Sequence, residues 1–491
     1  MIARRFLPSR AGISVLVLAL FASSCRDVNE PTAPSVLMAR AASTGPTVSS
    51  VVPDSSERGT TLDITVNGSG FDKGSTVKFE RQGVPASGIT VNSTSYVTSR
   101  KLVANVTIAA DADVGKYDVA VITPNDRKGI GVEMFTVSYE IAELGILGGT
   151  WSRAHAINNN GEVVGASCTN DCLSTAFYWS EASGQVDLGR LPGYTRSVAS
   201  AINNRSTVFG SMECYAGDAG CGGVYAQQLV RWDRVDGSWT ITPVTGCSVV
   251  RPLGDQSAKF VINNNDECVR RTSDGVLVFQ RLSGAVAVDE AYLPHLLPGG
   301  LSVAYGISDA SMVAGWSKDE NQHNAPVVWY RDATGTWTTL RLTFLATDKR
   351  GMALDISEPD GSGRVRVSGF TEEIDPRCCT SHPVRWTLEG DGAGGWRVAA
   401  TEALPPAGSG QSTSGWAVAV NTSGDVAGNS GPYMDSSNPV KWAVSGGVET
   451  LPNSTGGAQG RAVAINDQGW IVGAVWDSKN NCDRAAIWRQ R

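Results

Sequence analysis

One short phrase recurs along the chain, and it constrains the fold more than any other feature. It reads AINNNGEVVGAS at residues 156–167, and similar phrases occur at 201–212, 420–430 and 464–475. Aligning all copies on the apolar residue before the Asn-rich turn gives Ile157, Ile202, Ile262, Ile307, Ile356, Val420 and Ile465. The separations are 45, 60, 45, 49, 64 and 45 residues. A period in the mid-forties is typical of the four-stranded blades of a β-propeller.

Each copy contains the same succession of short strands. A strand of small residues leads through an Asn- and Gly-rich turn, whose residues tolerate left-handed backbone angles, to a second strand that ends in Gly. After a variable polar loop, a third strand ends in an aromatic residue, and a hairpin leads to a fourth strand. The aromatic residues are Trp179, Trp232, Phe279, Trp329, Trp386, Trp442 and Trp488. Because such sheets are apolar on both faces, they are buried only by stacking on one another.

The two ends of the repeat region predict that the blades close into a ring. Only RQR follows Trp488, so the seventh copy lacks a fourth strand, whereas residues 139–149 resemble a fourth strand with nothing ahead of it. A strand from 139–149 that completes the last blade would remove the exposed sheet edges. We therefore expect a seven-bladed β-propeller over 138–491, with an open stack of seven sheets as the alternative.

Composition agrees with an all-β chain and argues against one class of partner. Among 491 residues, 55 are Gly and 18% are charged, which favours turns and short strands over long helices. The net charge is −7, and no run of Lys or Arg could neutralise a phosphate backbone. We therefore expect no nucleic-acid partner.

The repeats resemble the HAF family of extracellular repeats. The resemblance rests on LGILGGTWSRAHAINNNGEVVGAS, TAFYW and QVDLGRLPG in the first copy, and on parallel phrases in copies two, four, six and seven. Copy three departs from the pattern with NNNDECVRRT and Phe279, and copy five has a longer first turn. The family implies a secreted or surface β-propeller, and it supplies neither a common activity nor catalytic residues.

Residues 46–137 predict a separate β-sandwich, because apolar and polar residues alternate between Gly and Pro turns. The segments VSSVVP, ITVNGSGF, GSTVKF and GKYDVAV resemble the IPT/TIG family of immunoglobulin-like domains. That resemblance implies a tight turn at Gly68 and Gly70 before an inward-facing Phe71. We expect this domain to be a spacer or packing domain that holds the propeller away from the membrane.

The N-terminus predicts export. Residues 1–24 combine three arginines with the short apolar run ISVLVLALF, which is too short to span a membrane. ASSC resembles a bacterial lipobox, which implies lipidation of Cys25. The low-complexity composition of the segment that follows predicts a flexible tether over 25–45. Ordinary signal-peptide cleavage, with Cys25 a plain thiol, is the alternative. We expect a protein of the bacterial cell envelope, outside the cytoplasm, as an outer-membrane or surface lipoprotein whose lipid is its only membrane contact.

The remaining cysteines agree with export. Outside the cytoplasm, neighbouring cysteines are typical of local disulfides. The candidates are Cys168 with Cys172, Cys214 with Cys221, Cys247 with Cys268, and Cys378 with Cys379. Cys482 is left over. Zinc at Cys168 and Cys172 is a weaker alternative, since no second pair of ligands lies nearby.

No catalytic, cofactor or metal motif is found. His155 occupies an inner-strand position and is expected to be packed or to face the axis. His295, His323 and His382 fall in or near loops without metal-ligand spacing. The acidic turns SEPDGSG and AINDQG have too few closely spaced carboxylates for calcium and are explained by turn chemistry. We expect no cofactor.

The loops between second and third strands vary most among the copies, and they should emerge on one rim of the ring. Function concentrates on such loops when the scaffold is rigid. The rim candidates are Tyr215, Tyr225 and Tyr433, which suit a protein or glycan partner. The leading hypothesis is a non-catalytic surface protein for binding or adhesion. An exported glycan lyase or hydrolase with a funnel active site and a purely structural envelope component are the alternatives.

Overall fold

The computed structural model describes residues 45–109, 112–171, 173–218, 221, 223, 225–250, 259–373, 380–407, 414–431, 437–453 and 459–489. These residues form β-strands, turns and irregular segments, with no α-helix among them. Within these ranges, no helix is long and apolar enough to cross a membrane. The predicted all-β fold class is confirmed.

The first nine strands form a β-sandwich. They are β1 Thr47–Val52, β2 Ser55–Glu57, β3 Thr61–Ser69, β4 Thr76–Arg81, β5 Val84–Pro85, β6 Ile89–Thr98, β7 Lys101–Ile108, β8 Gly115–Ile122 and β9 Lys128–Ser138. One sheet has the order β1-β3-β7-β6 and the other β2-β9-β8-β4-β5. Alternation along the strands buries Phe79 and Phe135 of the second sheet, and their rings are in edge-to-face contact. Gly70 has a φ of +71°, and Phe71 after it is buried.

The remaining strands form seven consecutive units in the described part of the chain. Units 1 and 2 are β11 Ser152–Ile157, β12 Val163–Cys168, β13 Ser174–Ser180, β14 Gly184–Asp187, and β15 Arg196–Ile202, β16 Val208–Cys214, β17 Ala226–Val235, β18 Ser238–Pro243. Unit 3 is β19 Val249–Val250, β20 Lys259–Phe260, β21 Glu267–Arg271, β22 Leu277–Ser283 and β23 Val286–Leu293. Unit 4 is β24 Ser302–Ile307, β25 Val313–Lys318, β26 Asn324–Arg331 and β27 Trp337–Arg341.

Units 5 to 7 continue the series. They are β28 Arg350–Ile356, β29 Val365–Glu372, β30 Ser381–Gly390, β31 Trp396–Ala403; β32 Gly415–Val420, β33 Val426–Ser430, β34 Asn438–Trp442, β35 Val448–Thr450; and β36 Gly460–Ile465, β37 Ile471–Asp477, β38 Cys482–Arg489 with β10 Glu140–Glu143. Six of the units are four-stranded antiparallel sheets. Unit 3 is split, and its inner strand is reduced to two residues plus a bridge from Ile262 to Cys268.

The units form a closed ring. Each inner strand contacts the strands of the preceding unit, and β11 of unit 1 contacts β36, β37 and β38 of unit 7. The segment expected to close the ring does so, because β10 pairs with β38 in the register Ile141 opposite Trp488. Closure covers the edge that β38 would otherwise expose.

The inner strands of six units share a β-bulge beside the central axis of the ring. In six units the pairing with the second strand slips by one residue, as between Ala154 and Ala156. A bulge of this kind leaves one residue unpaired and re-aims its side chain. In unit 1 that residue is His155, which lines the cavity at the centre of the ring.

The third-strand tryptophans hold neighbouring units together farther from the axis. Trp329, Trp386, Trp442 and Trp488 are fully buried. Each indole N–H donates to a carbonyl at the end of the preceding unit, at 2.7 Å in every case. The acceptors are Pro294, Thr343, Pro405 and Pro452. In units 4 to 7 the tryptophan therefore fills the space between blades and also bonds across it.

Candidate functional site

The residues on which the repeats align lie together on the axis. Ile157, Ile202, Ile262 and Ile465 line two adjoining cavities, and Ile307, Ile356 and Val420 line the second of them. The first, which we call the axial cavity, has a volume of about 250 Å³. The second has a volume of about 210 Å³ and lies at the end of the ring where first and second strands are joined. An apolar ring therefore lies where the two cavities meet.

The Asn-rich turns build the second cavity. Asn158 accepts hydrogen bonds from the N–H groups of Asn160 and Glu162, both at 3.0 Å, which closes its own turn. Its Nδ2 donates to the carbonyl of Asn203 in the next unit at 3.0 Å. Asn263, Asn421 and Asn466 likewise accept a backbone N–H of their own turn and donate from Nδ2 to a carbonyl of the next unit in the ring. Each of these asparagines is nearly fully buried. One side chain thus shapes a turn and joins two blades.

The turns differ from the sequence expectation in one detail. The glycines of these turns do have left-handed backbone angles, as the sequence predicts, but the asparagines act as hydrogen-bonding caps. The left-handed residue is the fourth of the turn, and the residues there are Gly161, Ser206, Asp266, Ser311, Gly424 and Gly469, with φ between +59° and +93°. In the longer turn of unit 5, Asp360 accepts from the N–H groups of Ser362 and Arg364. The acidic turn SEPDGSG is therefore explained by capping.

The residue that follows the capping position in each turn makes a second set of hydrogen bonds between neighbouring units, which runs around the axis. The N–H of Asn159 donates to Asn204, that of Asn204 to Asn264, and that of Asp309 to Glu358. The N–H of Asp467 donates to Asn159 at 3.0 Å and continues this set of bonds across the seam between units 7 and 1. The carbonyl and carboxylate oxygens at this mouth are therefore largely used to join blades.

Glu358 gives this set of bonds a pH dependence. Burial, reinforced by the charges of Asp309 and Asp467, raises the pKa of Glu358 from 4.5 to about 7, although its Oε1 accepts the Asp309 N–H at 2.6 Å. Below pH 4.5 the carboxyl is protonated in both folded and unfolded chains. As the pH rises toward 7, the unfolded chain loses the proton first, so folding is progressively disfavoured.

We therefore expect Glu358→Gln, which keeps the acceptor for Asp309, to stabilise the protein at pH 8. The expected gain is about 1–2 kcal/mol, allowing for partial exposure of the group, with little difference at pH 4. Urea unfolding of both proteins between pH 4 and pH 8 measures this. Parallel stability curves for wild type and variant would show that Glu358 does not titrate as argued.

The walls of the axial cavity come from the inner strands and are chemically uneven. The position two residues before each aligned apolar residue is occupied by His155, Ser200, Phe260, Tyr305, Leu354, Val418 and Val463. All seven belong to the inner strands and line this cavity. Units 1, 2 and 4 thus present polar atoms, and units 5 to 7 present aliphatic side chains. His155 bonds through Nδ1 to the Ala199 carbonyl at 2.9 Å.

Three charged side chains also line the axial cavity. Lys259 of unit 3 lies 3.6 Å from Asp355 of unit 5, across unit 4. Asp355 also accepts the N–H of Val420 at 3.1 Å. Arg461 bonds to Asp483 at 3.1 Å. Each charge in the cavity therefore has an opposite charge beside it.

The loops between second and third strands lie at the opposite end from the Asn-rich turns, because the strands within each unit are antiparallel. In unit 2, Tyr215 and Tyr225 lie in and beside such a loop. Their ring centroids are 5.4 Å apart, and 40% and 50% of the two residues is exposed. Tyr433, the third rim candidate, lies outside the described residues.

The other candidate residues are placed as follows. Disulfides join Cys214 to Cys221 and Cys247 to Cys268. Cys168 is buried, and its Sγ accepts the Thr150 N–H. Cys482 is buried and has no disulfide partner in the described part of the chain. Cys25, Cys172, Cys378 and Cys379 lie outside it.

The three remaining histidines lie apart from the axis. His295 bonds to Ser302 at 2.7 Å, and burial lowers its pKa. His382 lies 3.0 Å from Asp348, and the His323 N–H donates to Asp319. Within the described ranges, no group of three or more His, Cys, Asp or Glu residues is arranged to hold a metal ion.

No protein-family model and no curated protein matches the chain. Among solved structures, it is similar to AofleA from Arthrobotrys oligospora, with 12% identity, a TM-score of 0.34, and coverage of 64% of this chain and 90% of that one. It is also similar to a variant of the Aleuria aurantia lectin AAL in complex with Fucα1-6GlcNAc, with 10% identity, a TM-score of 0.32, and coverage of 63% and 97%. The SapL1 lectin in complex with α-methyl fucoside gives 12% identity, a TM-score of 0.31, and coverage of 63% and 98%. All three TM-scores are below 0.5, so this likeness carries no argument about ligand or site.

Proposed function

We propose that this protein is a non-catalytic, exported and lipid-anchored surface protein whose propeller binds a glycan or protein partner through the rim of loops between second and third strands. The single observation that carries the proposal is the exposed aromatic pair Tyr215 and Tyr225. Export rests on residues 1–25, which lie outside the described residues. The disulfides Cys214–Cys221 and Cys247–Cys268 support an oxidising compartment.

The tyrosine pair is held in place by its surroundings. The Cys214–Cys221 disulfide closes the loop that carries Tyr215. Arg196 lies over the Tyr215 ring, 5.1 Å from its centroid, and makes two 3.0 Å bonds to Asp218 in the same loop. These bonds hold the pKa of Asp218 well below its ordinary value. A rigid loop loses less conformational entropy when a partner binds.

The same patch offers hydrogen-bonding groups beside the rings. The Tyr215 hydroxyl donates to Glu213 at 2.7 Å, and Gln227 donates to the other oxygen of that carboxylate at 2.9 Å. Tyrosines supply large contact areas at low entropic cost, and neighbouring polar groups add direction. Apolar ring faces next to carboxylate and amide groups suit a glycan or a polar protein surface.

An exported propeller enzyme acting on glycans is the second candidate, and His155, Tyr305 and Arg461 in the axial cavity are the observation that favours it. Two features weigh against it. Asp355 is the one carboxylate among the described lining residues of that cavity, whereas most glycosidases use a pair. Burial raises the pKa of Tyr305, which disfavours the tyrosinate that a lyase base would need.

Replacing both rim tyrosines tests the proposal. We expect Tyr215→Ala with Tyr225→Ala to weaken capture of the best partner found by glycan-array and pull-down screens at least about tenfold. Tyr292→Ala is the matched control, because Tyr292 is also exposed but lies on the outer strand of unit 3. Equal capture by the double variant and the control would place the binding surface elsewhere.

A further inference from the structure

The axial cavity contains a buried hydroxyl that has no partner. Ser200 is 4% exposed and lines the cavity, and its Oγ makes no hydrogen bond in the structure. A buried hydroxyl without a partner costs free energy, so such groups usually have one. The arrangement is explained if a bound molecule supplies the missing bond.

Comparison among the repeats shows a second departure at the same place. Lys259 stands three residues before the aligned apolar residue, where the other six units have Ala154, Ala199, Ala304, Ala353, Ala417 and Ala462. Asp355 stands one residue before it, where the others have Ala, Gly or Val. Six alanines show that packing of the ring requires only a small residue at the Lys259 position. The two exceptions come from different units and meet at 3.6 Å.

The cavity wall is divided into a polar and an apolar side. On the polar side, the Ser200 hydroxyl can donate or accept, Lys259 donates and Asp355 accepts. The charge of Lys259 is offset by Asp355, and that of Arg461, which also lines the cavity, by Asp483. Leu354, Val418 and Val463 form an aliphatic wall. About a third of the Lys259 side chain and a quarter of the Asp355 side chain are exposed, so solvent and small molecules reach this ion pair.

From this division we infer that the axial cavity is a binding site for a neutral, polyhydroxylated molecule the size of one sugar residue. Hydroxyl groups both donate and accept, as a mixed set of partners requires. A carboxylate would have to compete with Asp355 for Lys259 and with Asp483 for Arg461, because these ion pairs are already formed. The C–H face of a sugar ring matches the aliphatic wall. The volume of about 250 Å³ is smaller than that of sites for drug-sized ligands. This site is separate from the loop rim and does not depend on it.

Saturation-transfer NMR and titration calorimetry on the full chain test the inference. The probes are the methyl glycosides of glucose, galactose and mannose, with glucuronate and benzoate as anionic comparisons. We expect at least one neutral glycoside to bind at millimolar concentration, and Ser200→Ala to weaken it about tenfold. The double variant Lys259→Ala with Asp355→Ala, which restores the residue type found in most other units, should weaken it at least as much.

Two controls separate binding from folding. Ser238→Ala, on the exposed outer strand of unit 2, should leave the dissociation constant unchanged. Thermal unfolding of Ser200→Ala should occur at an equal or higher temperature than in wild type, since the variant removes an unpartnered buried hydroxyl. A purely structural role for Ser200 would lower that temperature and leave the affinity unchanged.

Three results would overturn the inference. They are binding of no probe, binding of the anionic probes alone, and glycoside binding that Ser200→Ala and the double variant leave intact. Loss of partner capture in the rim tyrosine variant with intact glycoside binding would support both proposals. Failure of the rim assay alone would leave the axial site standing.

Discussion

Gly428→Ala is expected to lower the free energy of unfolding by about 3 kcal/mol. Gly428 lies in β33, where the second strand of unit 6 passes the bulge in β32. A Cβ atom at this position would lie 2.0 Å from the Trp416 carbonyl oxygen and 2.8 Å from the ring of Trp442. Neither neighbour can retreat, because one is backbone in the crowded inner strand and the other is a fully buried indole.

Chemical denaturation measures this effect, and Gly217→Ala is the control. Gly217 has no heavy atom within 4 Å of an added Cβ and needs no left-handed backbone angle, so its replacement should change stability by less than about 0.5 kcal/mol. If Gly428→Ala unfolded at the same denaturant concentration as the control, the close approach of β32 and β33 would be wrong.

The recurring Gly of the second strand is visible in the sequence, but its cause is not, and the structure places it inside the strand rather than at its end. Six units have the glycine, and in each an added Cβ would fall about 2.0 Å from an inner-strand carbonyl. In unit 3 the place is taken by Arg270, and there the inner strand is reduced to Lys259–Phe260. The crowding comes from the bulge, which is a backbone feature that alternation of residue types does not reveal.

Periodicity predicted the contacts that every unit makes and missed those that only one unit makes. Ile157 and its six equivalents meet on the axis because equivalent positions of a ring meet at its centre. The closing strand β10 followed from the unequal ends of the repeat region. Lys259 and Asp355, in contrast, are 96 residues apart and touch only because the ring places unit 5 near unit 3. No spacing rule links such a pair.

The tyrosine pair of the rim illustrates the same limit. Loop variability pointed to Tyr215 and Tyr225 as candidates, since both lie in the longest insertion of unit 2. Their contact at 5.4 Å, with Arg196 over one ring, depends on how the disulfide folds that loop back. Composition can nominate such residues, and only three-dimensional placement can make them a surface.

The seam between the last and first units gives the second large expected effect. Asn466 accepts the N–H groups of Gln468 and Trp470, at 3.1 and 2.9 Å, and donates to the Asn158 carbonyl across the seam at 3.0 Å. Asn466→Ala leaves two N–H groups and one carbonyl without these partners at a buried site. We expect the free energy of unfolding to fall by about 3 kcal/mol.

Asn203→Ala is the matched control, because Asn203 is equally buried and accepts the same two turn bonds, from Arg205 and Thr207. Its Nδ2, however, has no hydrogen-bond partner. The Asn203 variant should therefore lose about 1 kcal/mol less than the Asn466 variant, and the difference measures the bond between blades. Hydrogen exchange should also quicken in β11 and β36 for Asn466→Ala alone. Equal losses and equal exchange in the two variants would mean that the cap shapes its own turn and contributes nothing to closing the ring.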